Sequence, residues 1–141
     1  MALFYRITQS QAEDPARNGK WYAHAAHTST VTTAEMAEIM ERNATCKASD
    51  VRAVVREMVD VLQMQLRQGH RVVIDGLGSF KLGLTSSGAA TAKDFDVKKN
   101  IKGAHVIFQP ESNGTSTKGH RNRKLVVGVE LKELPQNTVT H

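Results

Sequence analysis

The clearest periodicity in the chain is helical and extends from Ala48 to Arg67. Apolar residues recur there every three or four positions, which aligns them on one face of a helix: Val51, Val54, Val55, Met58, Leu62 and Leu66. Val59, Val61 and Met64 widen this stripe beyond one face. A helix this apolar needs two packing partners, which favours a dimer interface; the alternative is burial within one chain, since two neighbouring elements can also cover a wide stripe. Gly69 follows at the position of a left-handed helix terminator.

A shorter helix is predicted just upstream. The run Thr32-Thr33-Ala34-Glu35 has the spacing of a capping box, and the helix that it opens is expected to end near Asn43. Still further upstream, two extended segments flank Asn18-Gly19, a pair that favours a tight turn because both residues tolerate positive φ. We therefore expect residues 1–31 to form an N-terminal β-hairpin extension.

Alternation with a period of two replaces the helical pattern from Arg71 to Pro110. Two strands are predicted to meet at Gly76-Leu77-Gly78, and a third is predicted to close on Pro110. One face would carry Phe80, Leu82, Leu84, Val106 and Phe108, and the other Ser79, Lys81 and Gly83. Residues 85–104 are too many for a structureless loop. They are predicted to form a protruding hairpin with about ten residues per leg, reaching on the order of 30 Å.

The chain after Pro110 is polar at first and then basic. Residues 111–119 have the composition of a flexible connector. A basic cluster follows and contains Lys118, His120, Arg121, Arg123 and Lys124. This cluster would contact phosphates or form an ordinary solvated strand edge. Alternation from Leu125 to Leu131 predicts a closing strand, and residues 135–141 are expected to be a frayed tail.

Composition indicates the class of molecule that the protein binds and the compartment in which it works. The 141 residues carry a net charge of +5 with a pI near 9.6, which favours a polyanion. Cys46 is the single cysteine, so no intramolecular disulfide forms and a reducing compartment is the simpler assumption. No apolar run approaches the ~20 residues of a membrane span, and the N-terminus lacks the pattern of a secretory signal. We expect a cytoplasmic protein without a membrane partner.

Catalytic and metal-binding chemistry are not predicted. His24 and His27 would face opposite sides of a strand, and no further ligands complete a metal site. Gly76 and Gly78 lack the third glycine and the following helix of a dinucleotide-binding loop. We expect neither a cofactor, nor a small-molecule substrate, nor an enzyme.

The order of parts from Thr32 to Pro110, with the runs RQGHRVVIDGLGSF and IFQP, resembles the bacterial HU and integration host factor family of histone-like DNA-binding proteins. Leu77 stands where that family usually has an aromatic residue. The resemblance implies an α+β fold: an HU-like intertwined homodimer with a helical base, an antiparallel β saddle and protruding β-hairpin arms. It also implies double-stranded DNA as the partner and the bacterial nucleoid as the location. The DNA-binding domain would span residues 32–110, with an arm at about 85–104, between the extension 1–31 and the C-terminal segment 111–141.

The resemblance also assigns residues. It implies DNA contacts at the saddle residue Lys81 and at the arm lysines Lys93, Lys98, Lys99 and Lys102. The C-terminal cluster lies outside the resemblance and is a further candidate because of its charge: Lys118, Arg121, Arg123 and Lys124. The dimer interface and its core would contain Val54, Met58, Val61, Leu62, Phe80 and Phe108. The arm lacks the family's intercalating proline, so Phe95 is the candidate wedge. Asp94 and Asp96 flank it and would be repelled by phosphate, and the alternative is that Phe95 folds back onto apolar surface.

Two functions follow. The first is an architectural DNA-binding protein with little sequence preference. The second is a dimeric HU-like scaffold that uses the arm and the extra strands for protein contacts, which the two arm aspartates and the absent proline favour.

Overall fold

Two helices form where the apolar periodicity predicts them. In the computed structural model, which describes residues 2–115 and 121–134, α1 spans Thr33–Asn43 and α2 spans Ala48–Arg67. The Glu35 carboxylate accepts hydrogen bonds from the Thr32 backbone N–H at 2.7 Å and from its hydroxyl at 2.8 Å, and the Glu35 N–H donates to that hydroxyl at 3.3 Å. This is the predicted capping box. Gly69 follows α2 with a φ of 82°, the left-handed conformation expected of it.

The described residues also form eight strands and a third, four-residue helix: β1 (Ala2–Gln9), β2 (Trp21–Ala26), β3 (Val72–Ile74), β4 (Gly78–Ser86), α3 (Val97–Asn100), β5 (Ile101–Pro110), β6 (Ser112–Thr115), β7 (Arg121–Arg123) and β8 (Glu130–Glu133). The fold is therefore mixed α+β with small sheets. The chain divides into two units, residues 1–36 with 128–141 and residues 37–127. The C-terminal strand belongs to the first unit because it pairs with the N-terminal one.

The first unit is a three-stranded sheet with the order β2-β1-β8. β1 and β2 are antiparallel, and Gly19 in the turn between them has a φ of 75°. β8 runs parallel to β1, with Leu131 opposite Leu3. The prediction of a strand from Leu125 to Leu131 is wrong up to Val129, because β8 begins only at Glu130. Residues 124–126 form a 3₁₀ turn and Gly128 takes a φ of 77°, which interrupts the extended alternation before β8 begins.

The second unit contains an antiparallel sheet with the order β3-β4-β5 and a separate β6-β7 pair. Across β4 and β5, Phe80 lies opposite Phe108 and Leu82 lies opposite Val106, so the predicted apolar residues share one face. Gly78 has a φ of 147°, and a Cβ there would lie 2.3 Å from the Gln109 carbonyl oxygen. Glycine at this position therefore permits the close approach of β4 and β5.

The region 85–104 differs from the predicted ten-residue legs. β4 and β5 stay paired only as far as Ser86 opposite Ile101, and residues 87–100 form a folded loop that ends in α3. Strand pairing does not continue through this region. The chain forms α3 instead, and the Asp96 carboxylate caps this helix by accepting a hydrogen bond from the Lys98 N–H at 2.8 Å. We call residues 87–100 the arm loop.

Little of the apolar surface is buried within one chain. Among the described residues, the buried apolar side chains are Ala37, Val51 and Leu66. By contrast, Val54 of α2 is 67% exposed and Leu84 of β4 is 64% exposed. A single copy therefore leaves both the α2 stripe and the apolar face of the sheet largely uncovered.

Candidate nucleic-acid interface

Positive charge is concentrated in one of the two units. Residues 37–127 contain 15 basic and 9 acidic residues, a net charge of +6. Residues 1–36 and 128–141 together contain 4 basic and 5 acidic residues, a net charge of −1. The basic character of the protein therefore belongs entirely to the unit built on α2 and the β3-β4-β5 sheet.

The polar face of that sheet carries three groups that can bind an anion. Lys81 lies opposite Ile107 and is exposed. On the same face, the Arg71 guanidinium donates a hydrogen bond to the Ser79 hydroxyl at 3.0 Å, and His105 Nδ1 lies 3.3 Å from the Thr85 hydroxyl. These contacts hold Arg71 and His105 on the face that Lys81 occupies.

The arm loop is closed by hydrogen bonds between its two ends. The Asn100 side chain donates toward the Ser87 and Gly88 carbonyl oxygens, each at 3.3 Å, and accepts from the Asp96 N–H at 2.8 Å. The Ser87 N–H donates to the Asn100 carbonyl oxygen at 2.8 Å. The loop is therefore a folded unit at the end of the β4–β5 hairpin.

The arm lysines gather on and around this loop. Lys93, Lys98 and Lys99 are exposed. Lys102 lies where the β4–β5 register shifts, and its ammonium group donates to the Lys99 carbonyl oxygen at 2.9 Å. Lys102 thus helps to hold α3, whereas the other three side chains project from the loop without a hydrogen bond to the described residues.

The two aspartates beside Phe95 are engaged within the loop. The Asp94 carboxylate accepts a hydrogen bond from the Thr91 hydroxyl at 2.7 Å, and the Asp96 carboxylate caps α3. Phe95 shares a shallow hollow with Ala89, Ala90, Thr91 and Ala92, yet 42% of its surface is exposed. It is therefore partly folded back and partly presented to solvent.

An apolar groove runs between α2 and β3. It has a volume of about 370 Å³, and four predicted interface residues line it together: Val54, Met58, Val61 and Leu62. Val72 and Ile74 of β3 form the other wall. Phe80 and Phe108 do not line this groove; they stack against each other, with ring centroids 4.8 Å apart.

Comparison with known proteins identifies the family. A family model described as an HU domain fused to a winged helix-turn-helix, an immunoglobulin or a glycine-rich motif matches residues 1–122. The chain belongs to the HU-HIG family.

The fold of this HU-HIG chain also resembles a solved structure. A crystal structure of a "Putative bacterial DNA binding protein" from Bacteroides vulgatus aligns with a TM-score of 0.61 and 13% sequence identity. The alignment covers 94% of this chain and 48% of the other, so the chain spans about half the length of that protein. No curated protein matches the chain.

The C-terminal basic cluster of the HU-HIG chain is not part of the arm-loop site. Lys124 forms an ion pair with Glu111 at 2.9 Å, just beyond Pro110, whereas the arm loop lies at the other end of the ten-residue strand β5. The hydrogen bond from Lys124 lowers the pKa of Glu111. Arg121 and Arg123 lie in β7, and Lys118 lies outside the described residues, as does the predicted tail 135–141.

Sequence reasoning missed two residues of the sheet's polar face. Arg71 precedes β3 by one residue, and the alternation that includes Val73 places it on the face of Ser79. His105 lies opposite Gly83, on the face of Lys81. Strand alternation could have found both, once the register was known.

Other kinds of site do not emerge in residues 2–115 and 121–134. No group of three or more His, Cys, Asp or Glu side chains there is arranged to hold a metal ion. Over the same residues, none of the helices has the length and apolarity needed to span a bilayer.

Proposed function

We propose that this protein is an architectural, largely sequence-nonspecific DNA-binding protein of the HU type. The observation that carries the proposal is the arm loop: a folded, exposed loop with Lys93, Lys98 and Lys99, at the end of a long hairpin in the unit with a net charge of +6. Membership of the HU-HIG family supports DNA as the partner. Within a bacterial cell the site of action would be the nucleoid.

Binding would rest on phosphate neutralisation. Lysines that meet phosphates release condensed counterions, so the logarithm of the binding constant falls by about 0.9 for each contact per unit of log salt concentration. Lys81 and Arg71 on the polar face of the sheet would extend the contact from the arm loop toward the base of the hairpin. Contacts of this kind to phosphates position the protein without reading the base sequence, so sequence preference would be low.

A homodimer would supply two such surfaces. The groove lined by Val54, Met58 and Val61 is apolar and open in one chain, and a second copy would cover it. With three or four phosphate contacts from each protomer, the dimer would neutralise about 6 to 8 phosphates.

Phe95 would act at the tip. It lines a shallow hollow with three alanines and is 42% exposed, and its neighbouring aspartates are occupied by hydrogen bonds within the loop. An apolar side chain presented in this way can wedge between base pairs from the minor groove and kink the duplex.

The test is a binding titration with a matched control. We expect Lys98→Gln/Lys99→Gln to weaken binding to a short fluorescent duplex and to flatten its salt dependence between ~50 and 200 mM salt, by about 0.9 for each phosphate that is no longer neutralised. The control, Lys20→Gln/Lys132→Gln, removes the same charge from the other unit, where both lysines are exposed. Equal losses of affinity in the two variants would mean that binding depends only on the net charge of the protein and not on the arm loop. No binding by a folded wild-type protein would refute the proposal.

The dimeric scaffold is the second candidate, and the first unit favours it. That unit has a net charge of −1 and exposes Trp21 (63%) and Leu131 (69%), which suits contact with protein better than contact with DNA. A dimer that binds no duplex at low salt but captures a protein through this sheet would move the scaffold to first place.

A further inference from the structure

Asn100 occupies a special position in the arm loop. Among residues 87–100 it is the least exposed. Its side-chain amide nitrogen lies 3.3 Å from each of three acceptors at the opposite end of the loop: the Ser87 carbonyl oxygen, the Ser87 hydroxyl and the Gly88 carbonyl oxygen. Its side-chain oxygen accepts from the Asp96 N–H at 2.8 Å.

The backbone of Asn100 completes the closure. Its N–H donates to the Asp96 carbonyl oxygen at 2.7 Å, which forms the single turn of α3. Its carbonyl oxygen accepts from the Ser87 N–H at 2.8 Å. Asn100 thus connects the start of the loop at Ser87 to the α3 capping residue Asp96, and it directly precedes the first residue of β5.

We propose that Asn100 is a positioning residue for DNA binding, which keeps the arm loop folded before DNA arrives. The inference rests on the proposed function and adds to it a reason for the affinity. A loop that is already folded presents Lys98 and Lys99 in a fixed arrangement, so binding does not have to supply the conformational entropy of ordering 14 residues. Asn100 itself contacts no phosphate; it acts through the backbone that carries the lysines.

The salt dependence of binding separates this role from a phosphate contact. Asn100→Ala keeps every lysine, so its log–log salt slope should match that of the wild type while its affinity falls roughly tenfold at every salt concentration. Asn43→Ala is the matched control, because it removes the same group from the exposed end of α1 and should bind as the wild type does. An unchanged affinity for Asn100→Ala, or a slope that flattens as it does for Lys98→Gln/Lys99→Gln, would overturn the proposal.

Amide hydrogen exchange of the free wild-type protein provides a test that needs no variant. The N–H groups of Ser87, Asp96 and Asn100 donate the closing hydrogen bonds, so they should exchange more slowly than the neighbouring Ala89 and Ala90. Equal, unprotected exchange across the loop would overturn the proposal, even if Asn100→Ala fails to fold. Because this measurement contains no DNA, it also distinguishes failure of the positioning role from failure of DNA binding itself.

Discussion

Phe80 of β4 and Phe108 of β5 lie directly opposite each other, with ring centroids 4.8 Å apart and ring planes inclined by 30°. The pair lies on the apolar face of the β4–β5 hairpin, near the end formed by Gly78 and Pro110 and away from the arm loop. It therefore holds the two strands together at the base of the hairpin.

Removing one ring of this pair should destabilise the protein. We expect Phe108→Ala to lower the free energy of unfolding by about 1–2 kcal/mol, because it removes the contact between the two rings and the buried part of a side chain that is 41% exposed. Phe108→Leu, which keeps most of the volume, should cost less. Urea denaturation measures both, with Phe95→Ala as the control because Phe95 lies in the arm loop and not in the sheet. Equal losses at positions 95 and 108 would contradict this account.

The turn between β3 and β4 offers a matched pair of glycines. Gly76→Ala meets no atom within 4 Å and carries only the strain of a φ of 82°, so it should cost about 1–2 kcal/mol. Gly78→Ala combines a φ of 147° with a Cβ only 2.3 Å from the Gln109 carbonyl oxygen, and should cost roughly 3 kcal/mol or more. Thermal or urea unfolding of the two variants tests the order, and equal costs would mean that the β4–β5 spacing relaxes to accept the new Cβ.

The proposed dimer depends on the groove beside α2. Val61→Glu places a charge in this groove, where a second copy would have to desolvate it, so the variant should be monomeric at micromolar concentration. Val59→Glu is the matched control, because Val59 is exposed and does not line the groove. Analytical ultracentrifugation measures the result. Dissociation by both variants would mean that the interface is not centred on the groove, and dissociation by neither would reject the groove as an interface.

The sequence predicted the elements that depend on local signals. The capping box at Thr32 and Glu35, the terminator Gly69 and the apolar stripe of α2 each act within one or two turns of chain, so their patterns predict α1 and α2 with the observed bounds. The face shared by Phe80 and Phe108 was predictable for the same reason, since alternation alone assigns residues to the two faces of a strand.

What the sequence could not predict depends on contacts between distant residues. The pairing of β8 with β1 joins residues about 130 positions apart, and periodicity contains no information about such partners. The arm loop was mistaken for paired legs because its structure is set by polar side chains, above all Asn100 and Asp96, rather than by an apolar pattern. For the candidate site, this means that the lysines were visible in the sequence but the groups that hold them were not.

Phe95 should influence the shape of bound DNA more than its affinity. If it wedges between base pairs, Phe95→Ala should reduce the bend of a duplex labelled at both ends, as measured by energy transfer, with an unchanged salt slope because no charge is removed. Ala92→Ser, a small change in the same hollow, is the control. A bend that is identical in wild type and Phe95→Ala would remove Phe95 as the wedge.

The ion pair between Glu111 and Lys124 predicts how stability depends on pH. The hydrogen bond from the Lys124 ammonium lowers the pKa of Glu111 in the folded protein below its ordinary value of 4.5. The folded state therefore holds the Glu111 proton less tightly than the unfolded state does. The resulting stabilisation is fully present above pH 4.5 and is lost as the pH falls through the lowered pKa.

Glu111→Gln should accordingly be less stable than the wild type at pH 7, and the difference should shrink toward zero in acid. Urea denaturation at pH 7, 5 and 3.5 measures this difference. In a Lys124→Met background the principal cause of the lowered pKa is absent, so Glu111→Gln should then have nearly the same small effect at each pH. A pH dependence that survives in this background would assign the lowered pKa of Glu111 to the neighbouring Gly76 backbone rather than to Lys124, and would contradict the prediction.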